Sequence, residues 1–207
     1  KPLRNMIESG FISSFLLWGP PGTGKTTIAK IIAHSTGSKF HQINAVSSGV
    51  KEVREIIAKA LEEKTKGFKT ILFIDEIHRF NKGQQDALLG SVEQGIITLI
   101  GATTENPSFE VIPALRSRMR IFKLNELTEK DITSIISSAL KDDPVLSQWK
   151  VDVPKTAFDY LYFISAGDAR SALNIVEAVV NSSPEDDLLE IDKEKIENII
   201  QKKNIIY

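Results

Sequence analysis

The sequence predicts an α/β domain built on a five-stranded parallel sheet, followed by a smaller all-α domain. Up to Leu124, short apolar runs alternate with longer segments of helical period, a pattern typical of parallel strands joined by crossover helices. After Leu124 apolar residues recur only at helical spacing. The boundary is therefore expected between residues 1–124 and 125–207. The five runs are 15–18, 40–43, 71–74, 97–101 and 120–122.

Individual elements support this organisation. The run from Ile71 to Ile74 is entirely apolar, as expected of a strand buried on both faces and near the sheet centre. In the second domain, Thr128 with Asp131 three residues later predicts a capped helix start. Further helices are expected after Pro154, after Gly167 and Asp168, and near Asp192.

Composition limits the function classes. The chain has 207 residues, 42% of them hydrophobic, and a formal net charge of −1, so no overall field attracts it to nucleic acid. The chain has no cysteine, which excludes disulfides and thiolate metal sites and favours a reducing compartment. Because no apolar run approaches membrane-spanning length, we expect a soluble protein without a membrane partner. Since numbering starts at Lys1, a fragment of a longer chain is expected.

A glycine-rich loop follows the first strand and precedes a helix. Its sequence satisfies the G-x-x-x-x-G-K-[ST] pattern, whose backbone N–H groups surround phosphates at a helix N-terminus. Lys25 is expected to reach the β- and γ-phosphates of ATP, and Thr26 to supply a hydroxyl to Mg²⁺. The alternative is a turn that binds no ligand. The expected nucleotide-binding residues here are Gly19, Pro20, Pro21, Gly22, Thr23, Gly24, Lys25, Thr26 and Thr27.

Two carboxylates end the strand at Ile71–Ile74, at the sheet edge where ligands of parallel sheets bind. Asp75 is expected to hold Mg²⁺, partly through water, and to contact the nucleotide site. Glu76 is expected to orient the water that attacks the γ-phosphate. The alternative is that both residues simply begin a turn, which Asp favours.

Polar side chains also end the strand at 97–101. Thr103 is the expected sensor of the γ-phosphate, with Thr104 and Asn106 as alternatives because a one-residue shift reverses which side chain faces the nucleotide. The competing interpretation is that these polar residues only form a turn before Pro107.

Two arginines complete the predicted site. Arg118 precedes the last strand, a position from which it is expected to contact the nucleotide of a neighbouring subunit. The alternative is a solvated basic edge that it forms with Arg116 and Arg120. Arg170 lies in the first turn of a helix, where its charge opposes the helix dipole, which indicates function. Pairing with Asp168 or Glu177 is its structural alternative.

Five segments together resemble the RarA/MgsA family, the replication-associated recombination proteins A, whose relatives include the Werner helicase-interacting protein. They are LWGPPGTGKTT, FIDEIHRFNKGQQDALL, LIGATTENPSFE, ALRSRMR and GDARSALN. The resemblance implies an AAA+ P-loop domain with a helical lid, a sensor 1 near Thr103, an arginine finger at Arg118 and a sensor 2 at Arg170. It also implies DNA at replication forks, replication proteins and a homo-oligomeric full-length form.

The chain departs from the family pattern in two places. Only about fourteen residues precede the first strand, so the residues that contact the adenine base are not assigned. Family members continue into an oligomerisation domain, and some carry a zinc finger, for which no cysteine exists here. The short connection between the first two lid helices favours a bacterial, cytoplasmic member; a eukaryotic member would be nuclear.

The predicted function is ATP hydrolysis at subunit interfaces that remodels DNA, with Arg79 and Lys82 as weaker candidates for phosphate contacts. A clamp-loader or branch-migration subunit is the nearest alternative. A module that holds nucleotide without hydrolysing it would not need Lys25, Glu76 and Arg118 together. A protein-unfolding machine would need an aromatic pore loop, which the sequence does not show.

Overall fold

The computed structural model describes residues 2–182 and 188–204, which form two compact units. The first unit holds the residues up to Gly19 together with Gly24–Leu124. The second holds Pro20–Thr23 together with the described residues after Leu124. Residues 205–207 of the predicted lid domain lie outside the described part of the chain.

The first unit contains a five-stranded sheet. The strands are β1 (Phe15–Trp18), β2 (Lys39–Asn44), β3 (Thr70–Asp75), β4 (Thr98–Thr103) and β5 (Arg120–Lys123). Every neighbouring pair is parallel, in the order β2-β3-β4-β1-β5, which confirms the predicted sheet. The helices are α1 (Pro2–Glu8), α2 (Lys25–Ser35), α3 (Val50–Thr65), α4 (Lys82–Glu93), α5 (Pro107–Glu110) and α6 (Pro113–Arg116), with a 3₁₀ turn at Ile77–Arg79.

The sheet is covered on both faces because alternate residues of each strand point to opposite sides. On one face, Leu72 and Ile74 join a core that includes Val53 of α3 and Leu88 of α4. On the other face, Phe73 and its alternating neighbours pack on α2 and α1. Strand β3 is thus buried on both sides, as its apolar sequence predicts.

Gln85 of α4 fixes the loops on the first of these faces. Its side chain is 2% exposed. Its amide nitrogen donates to the carbonyls of Phe80 and Glu110, 3.0 and 2.9 Å away, and its amide oxygen accepts from the N–H of Ile112 at 2.9 Å. One buried amide therefore ties the segment after β3 to the segment that leads to Arg116 and Arg118.

The second unit is helical around its own core. It contains α7 (Glu129–Asp142), α8 (Lys155–Ser165), α9 (Ala169–Ser182) and α10 (Lys193–Asn204), with a 3₁₀ turn at Leu146–Gln148. The structure adds a feature absent from the prediction, a two-residue parallel ladder between β6 (Val151–Asp152) and β7 (Leu189–Glu190). Too short to show periodicity, these strands left no recognisable sequence signal.

The predicted helix starts of this unit are confirmed. Thr128 and Asp131 form a reciprocal capping box at α7. Hydrogen bonds from the Thr128 hydroxyl, and then from its backbone N–H, hold the pKa of Asp131 below its usual range. Asp168 accepts from Ser171 N–H at 3.0 Å, and Asp192 accepts from Lys195 N–H at 2.8 Å. Each acceptor satisfies an N–H group that the helix itself leaves unpaired.

We predict that Gln85→Leu lowers the free energy of unfolding by about 3 kcal/mol, since three buried or partly buried hydrogen bonds to the backbone are lost. Urea denaturation followed by circular dichroism measures the loss. Asp86→Leu, on the exposed side of the same helix, is the matched control and should change stability by less than about 0.5 kcal/mol. Equal midpoints for the two variants would contradict the role assigned to Gln85.

Candidate functional site

The glycine-rich loop joins the carboxyl end of β1 to the start of α2. Gly22 and Gly24 have φ of +68° and +84°, which L side chains rarely adopt. Gly24 is the N-cap of α2, and no described side chain caps the first turn of this helix. The loop therefore leads directly into a helix N-terminus, as the phosphate-binding pattern predicts.

Lys25 is folded back over its own loop. Its side chain is buried, and its Nζ donates to the carbonyl of Gly19 at 2.8 Å. Within the loop, Thr23 Oγ1 donates to the carbonyl of Pro20 at 2.9 Å. Thr26 and Thr27 follow as the next residues of α2, Thr26 half-buried and Thr27 exposed. The ammonium group is therefore held against Gly19, the first residue of the glycine-rich loop, which is called the phosphate cradle below.

The two carboxylates at the end of β3 lie in different surroundings. Asp75 is half-buried, and among the described residues its carboxylate makes no hydrogen bond or ion pair, which leaves its oxygens open to the water shell of a cation. Glu76 has left-handed backbone torsions (φ 53°, ψ 45°), an uncommon conformation for a residue with a side chain. Its Oε2 lies 3.2 Å from Nδ1 of His78.

Polar residues at the end of β4 take three different roles. Thr103 is fully buried, and its Oγ1 lies 3.0 Å from His78 Nδ1 and accepts from Glu105 N–H at 3.0 Å. The Thr104 hydroxyl lies 3.5 Å from Glu76 Oε2. Asn106 caps α5 by accepting from the N–H of Ser108. Of the three sensor candidates, Thr103 and Thr104 thus lie around Glu76, and Asn106 is used as a cap.

Sheet order brings these groups to one edge. Strand β4 lies between β1 and β3, and all three run parallel, so their carboxyl ends are neighbours. The N–H of Gly19 donates to the carbonyl of Thr103 at 3.1 Å, which extends the β1–β4 ladder into the loop. Gly19 at the start of the phosphate cradle, the end of β4 and the carboxylates Asp75 and Glu76 therefore adjoin one another.

The donors at this edge fit a magnesium ion. Among the described residues, no three His, Asp or Glu side chains gather into a metal cluster. Mg²⁺ commonly takes one or two protein oxygens and completes its shell with water and phosphate oxygens. The Thr26 hydroxyl and the unpaired Asp75 carboxylate match that requirement.

Arg118 lies at the opposite edge of the same sheet. Strand β5 begins at Arg120, which pairs with Phe15 at the start of β1, so Arg118 precedes the amino ends of both strands. The glycine-rich loop follows the carboxyl end of β1, about 13 Å further along for a four-residue strand. The two features therefore face away from each other within one chain.

The guanidinium of Arg118 is held by local partners. Its Nη2 lies 2.5 Å from Glu93 Oε1, and its Nη1 donates to the Ala114 carbonyl at 2.5 Å. Both side chains of the ion pair are about half exposed, 40% for Arg118 and 47% for Glu93. Arg116 donates to the carbonyl of Ser108 instead. Arg116 and Arg118 are thus individually engaged and do not form a uniform solvated edge.

Arg170 is exposed at the second position of α9, in the second unit. Within the described part of the chain, neither Asp168 nor Glu177 forms an ion pair with it. The Asp168 carboxylate caps the helix instead. The structural alternative for Arg170, an ion pair with Asp168 or Glu177, is therefore not seen in the described residues.

Sequence reasoning missed three residues around these groups: His78, Gln85 and Glu93. His78 lacks the spacing of a metal ligand, and only its position two residues beyond Glu76 signalled a role. Gln85 and Glu93 act on segments distant in sequence, so no local pattern identifies them.

Family models match both parts of the chain. Residues 15–127 match the AAA family, described as ATPases associated with various cellular activities, and residues 147–207 match an AAA C-terminal domain.

Curated relatives share much of the sequence. A replication-associated recombination protein A of Coxiella burnetii is 47% identical over 90% of this chain and 42% of its own length. The ATPase WRNIP1 of Dictyostelium discoideum is 45% identical over 89% of this chain and 21% of its own length. The chain thus spans less than half the length of these relatives. The resemblance predicted from the five segments is confirmed.

Among solved structures, the Thermotoga maritima RuvB Holliday junction branch migration motor superposes with a TM-score of 0.74 at 29% identity. The match covers 98% of this chain and 66% of the RuvB chain. The predicted AAA+ architecture, a parallel-sheet domain followed by a helical domain, is confirmed by this likeness and by the two family models.

Proposed function

From the premise that this chain belongs to the AAA ATPase family, we propose that it is the nucleotide-hydrolysing core of a protein that remodels DNA during replication-associated recombination and repair. The observation that carries the ATPase part is the common edge of β1, β4 and β3. At that edge Gly19, the first residue of the glycine-rich loop, lies beside two carboxylates and two threonines, which supports this proposal. Division of the chain at Leu124 into a nucleotide-binding domain and a helical lid is part of this proposal.

ATP binds through its phosphates. The N–H groups of the loop from Gly19 to Gly24, together with the N-terminus of α2, surround the β- and γ-phosphates. Lys25 exchanges its bond to the Gly19 carbonyl for phosphate oxygens, a stronger charge-assisted interaction. The loop is shaped by Pro20, Pro21 and Thr23. Thr27 is a further residue proposed to contact the nucleotide. When bound, Mg²⁺ held by Thr26 and Asp75 neutralises charge on the phosphates.

Glu76 prepares the attacking water. Its carboxylate accepts a hydrogen bond from the water, whose oxygen then forms a bond to the γ-phosphorus. The bond from that phosphorus to the β–γ bridging oxygen breaks, ADP leaves with the electron pair, and the proton of the water passes to Glu76. Thr103 at the end of β4, or Thr104 as the alternative, senses whether a γ-phosphate is present.

Arg118 acts on a neighbouring subunit. Since it lies at the amino edge of its own sheet, it faces away from its own cradle and is placed to reach the nucleotide of a second copy. The pair with Glu93 is half-exposed and worth less than about 1 kcal/mol, so a phosphate can replace it. The protein is therefore a homo-oligomer when active. Arg170 of the lid contributes a second positive charge near the γ-phosphate.

DNA as partner is inferred from the relatives. Their names place them in replication-associated recombination, and the RuvB structure is that of a branch migration motor. Arg79 and Lys82 are exposed directly after β3 and are candidates for phosphate contacts.

No helix within residues 2–182 and 188–204 is long and apolar enough to cross a membrane. We place the protein in the bacterial cytoplasm, or in the nucleus if the source is eukaryotic, together with replication proteins.

A branch-migration or clamp-loading subunit is the second candidate function, favoured by the RuvB likeness. We expect the full-length protein to hydrolyse ATP several times faster with a forked DNA substrate than with a linear duplex of equal length. Steady-state phosphate release measures this ratio. Stimulation by four-way junctions alone would favour the branch-migration function, and stimulation only by DNA with a sliding clamp would favour clamp loading.

Glu76→Gln in the full-length protein should lower kcat by at least about 100-fold, because the amide orients water but cannot accept its proton. The dissociation constant for ATP should stay within about twofold, since the phosphate cradle is unchanged. Phosphate release and binding of a fluorescent ATP analogue measure the two quantities. Glu110→Gln, an exposed glutamate after β4, is the control and should keep normal turnover. Normal turnover of Glu76→Gln would refute the assignment.

Arg118→Ala should lower kcat by at least about 100-fold, and mixing it with Lys25→Ala should restore part of the activity. A mixed interface combines the intact cradle of the first variant with the intact arginine of the second. Arg120→Ala is the control for loss of an exposed positive charge, and Glu93→Gln should leave turnover intact. Absence of complementation would show that Arg118 acts within its own subunit.

A further inference from the structure

His78 lies between the two strand ends that carry the hydrolytic groups. It sits in the 3₁₀ turn Ile77–Arg79, and its side chain is 9% exposed. Its Nδ1 lies 3.2 Å from Oε2 of Glu76 and 3.0 Å from Oγ1 of Thr103. One ring nitrogen thus joins the carboxylate after β3 to the hydroxyl at the end of β4.

The chemistry of the two partners identifies the proton on this nitrogen. An ionised carboxylate only accepts hydrogen bonds, so Nδ1 must carry the hydrogen and donate to Glu76. Thr103 Oγ1 accepts the same N–H together with the N–H of Glu105 at 3.0 Å, and its own hydrogen points to the Glu105 carbonyl at 3.3 Å. Every donor in this group then has an acceptor.

The same group is connected to the phosphate cradle. The carbonyl of Thr103 accepts from the N–H of Gly19, the first residue of the glycine-rich loop, at 3.1 Å. Thr103 therefore links the two sides: its carbonyl binds Gly19, and its hydroxyl contacts His78, which in turn contacts Glu76. The left-handed backbone at Glu76 turns this carboxylate back toward His78 instead of letting it continue along the direction of β3.

We propose that His78 is a positioning residue for ATP hydrolysis. Its Nδ1–H holds Oε2 of Glu76 against the end of β4, which leaves Oε1 to accept the hydrogen bond of the attacking water. Among the described residues Oε1 has no hydrogen-bond partner. The inference rests on the proposed ATPase function, and it deepens that function by assigning how the carboxylate is oriented.

The test compares two amides at position 78 of the full-length protein. The side-chain nitrogen of Asn occupies nearly the place of Nδ1, whereas that of Gln occupies the place of Nε2. His78→Asn should therefore keep kcat within about threefold of the wild type, whereas His78→Gln should lose about 10- to 100-fold. ATP affinity should be unchanged in both variants, because neither alters the loop or Lys25. A role in packing alone predicts equal losses for both, or a greater loss for Asn, which is smaller.

A double-mutant cycle tests the path through Thr103. If both residues act on Glu76 in series, then Thr103→Val combined with His78→Gln should reduce kcat no more than the more damaging single variant. Independent effects would multiply. Thr98→Val, a change at the amino end of the same strand and away from the site, is the control and should stay near the wild type.

The outcomes separate this inference from the function on which it rests. The inference is supported if Glu76→Gln loses most of its kcat and if His78→Asn has a higher kcat than His78→Gln at equal ATP affinity. Equal kcat values in the two amide variants would overturn the inference while leaving the ATPase function intact. A rise of kcat in either variant would also overturn it, because His78 would then hinder Glu76. If Glu76→Gln itself hydrolyses ATP normally, the proposed function fails, whatever the His78 variants show.

Discussion

Parallel pairing of β1, β4 and β3 is the constraint on which the rest of the site depends. In a parallel sheet all carboxyl ends meet at one edge, so residues far apart in sequence become neighbours without any contact designed between their side chains. The hydrogen bond from Gly19 N–H to the Thr103 carbonyl continues this pairing beyond the strands. The sheet therefore determines the distance between Gly19, where the glycine-rich loop begins, and the carboxylates that follow β3, and apolar residues pack on both faces of β3.

The polar groups at this edge are stabilised by one another because the strands behind them are apolar. Thr103 is fully buried, and a buried hydroxyl must find partners. His78 and the backbone of Glu105 supply them. The unusual backbone of Glu76 is maintained by the same contacts, since its carboxylate is held by His78. A conformation that is uncommon for a glutamate persists here because its surroundings determine it.

The opposite edge of the sheet has a different character. Arg118 and Glu93 are both half-exposed, and their pair is one that solvent weakens. Buried Gln85 nevertheless fixes the segment before Arg118, because it binds the backbone at Glu110 and Ile112. The backbone before the arginine is thus held by buried Gln85, while the guanidinium is held only by half-exposed partners, which is consistent with the proposed action of Arg118 on a neighbouring subunit.

The sequence by itself determined the sheet, the helix starts and the residue types of the nucleotide site. Those features depend on local patterns: apolar runs, caps such as Thr128 with Asp131, and a glycine-rich loop whose torsions only glycine adopts readily. Only the tertiary structure decided which side chain after β4 approaches Glu76, that His78 joins two strand ends, and that the β6–β7 ladder exists. The physical reason is the same in each case. Such contacts join residues distant in sequence, and a one-residue difference in strand register, which no local pattern records, decides which of them meet.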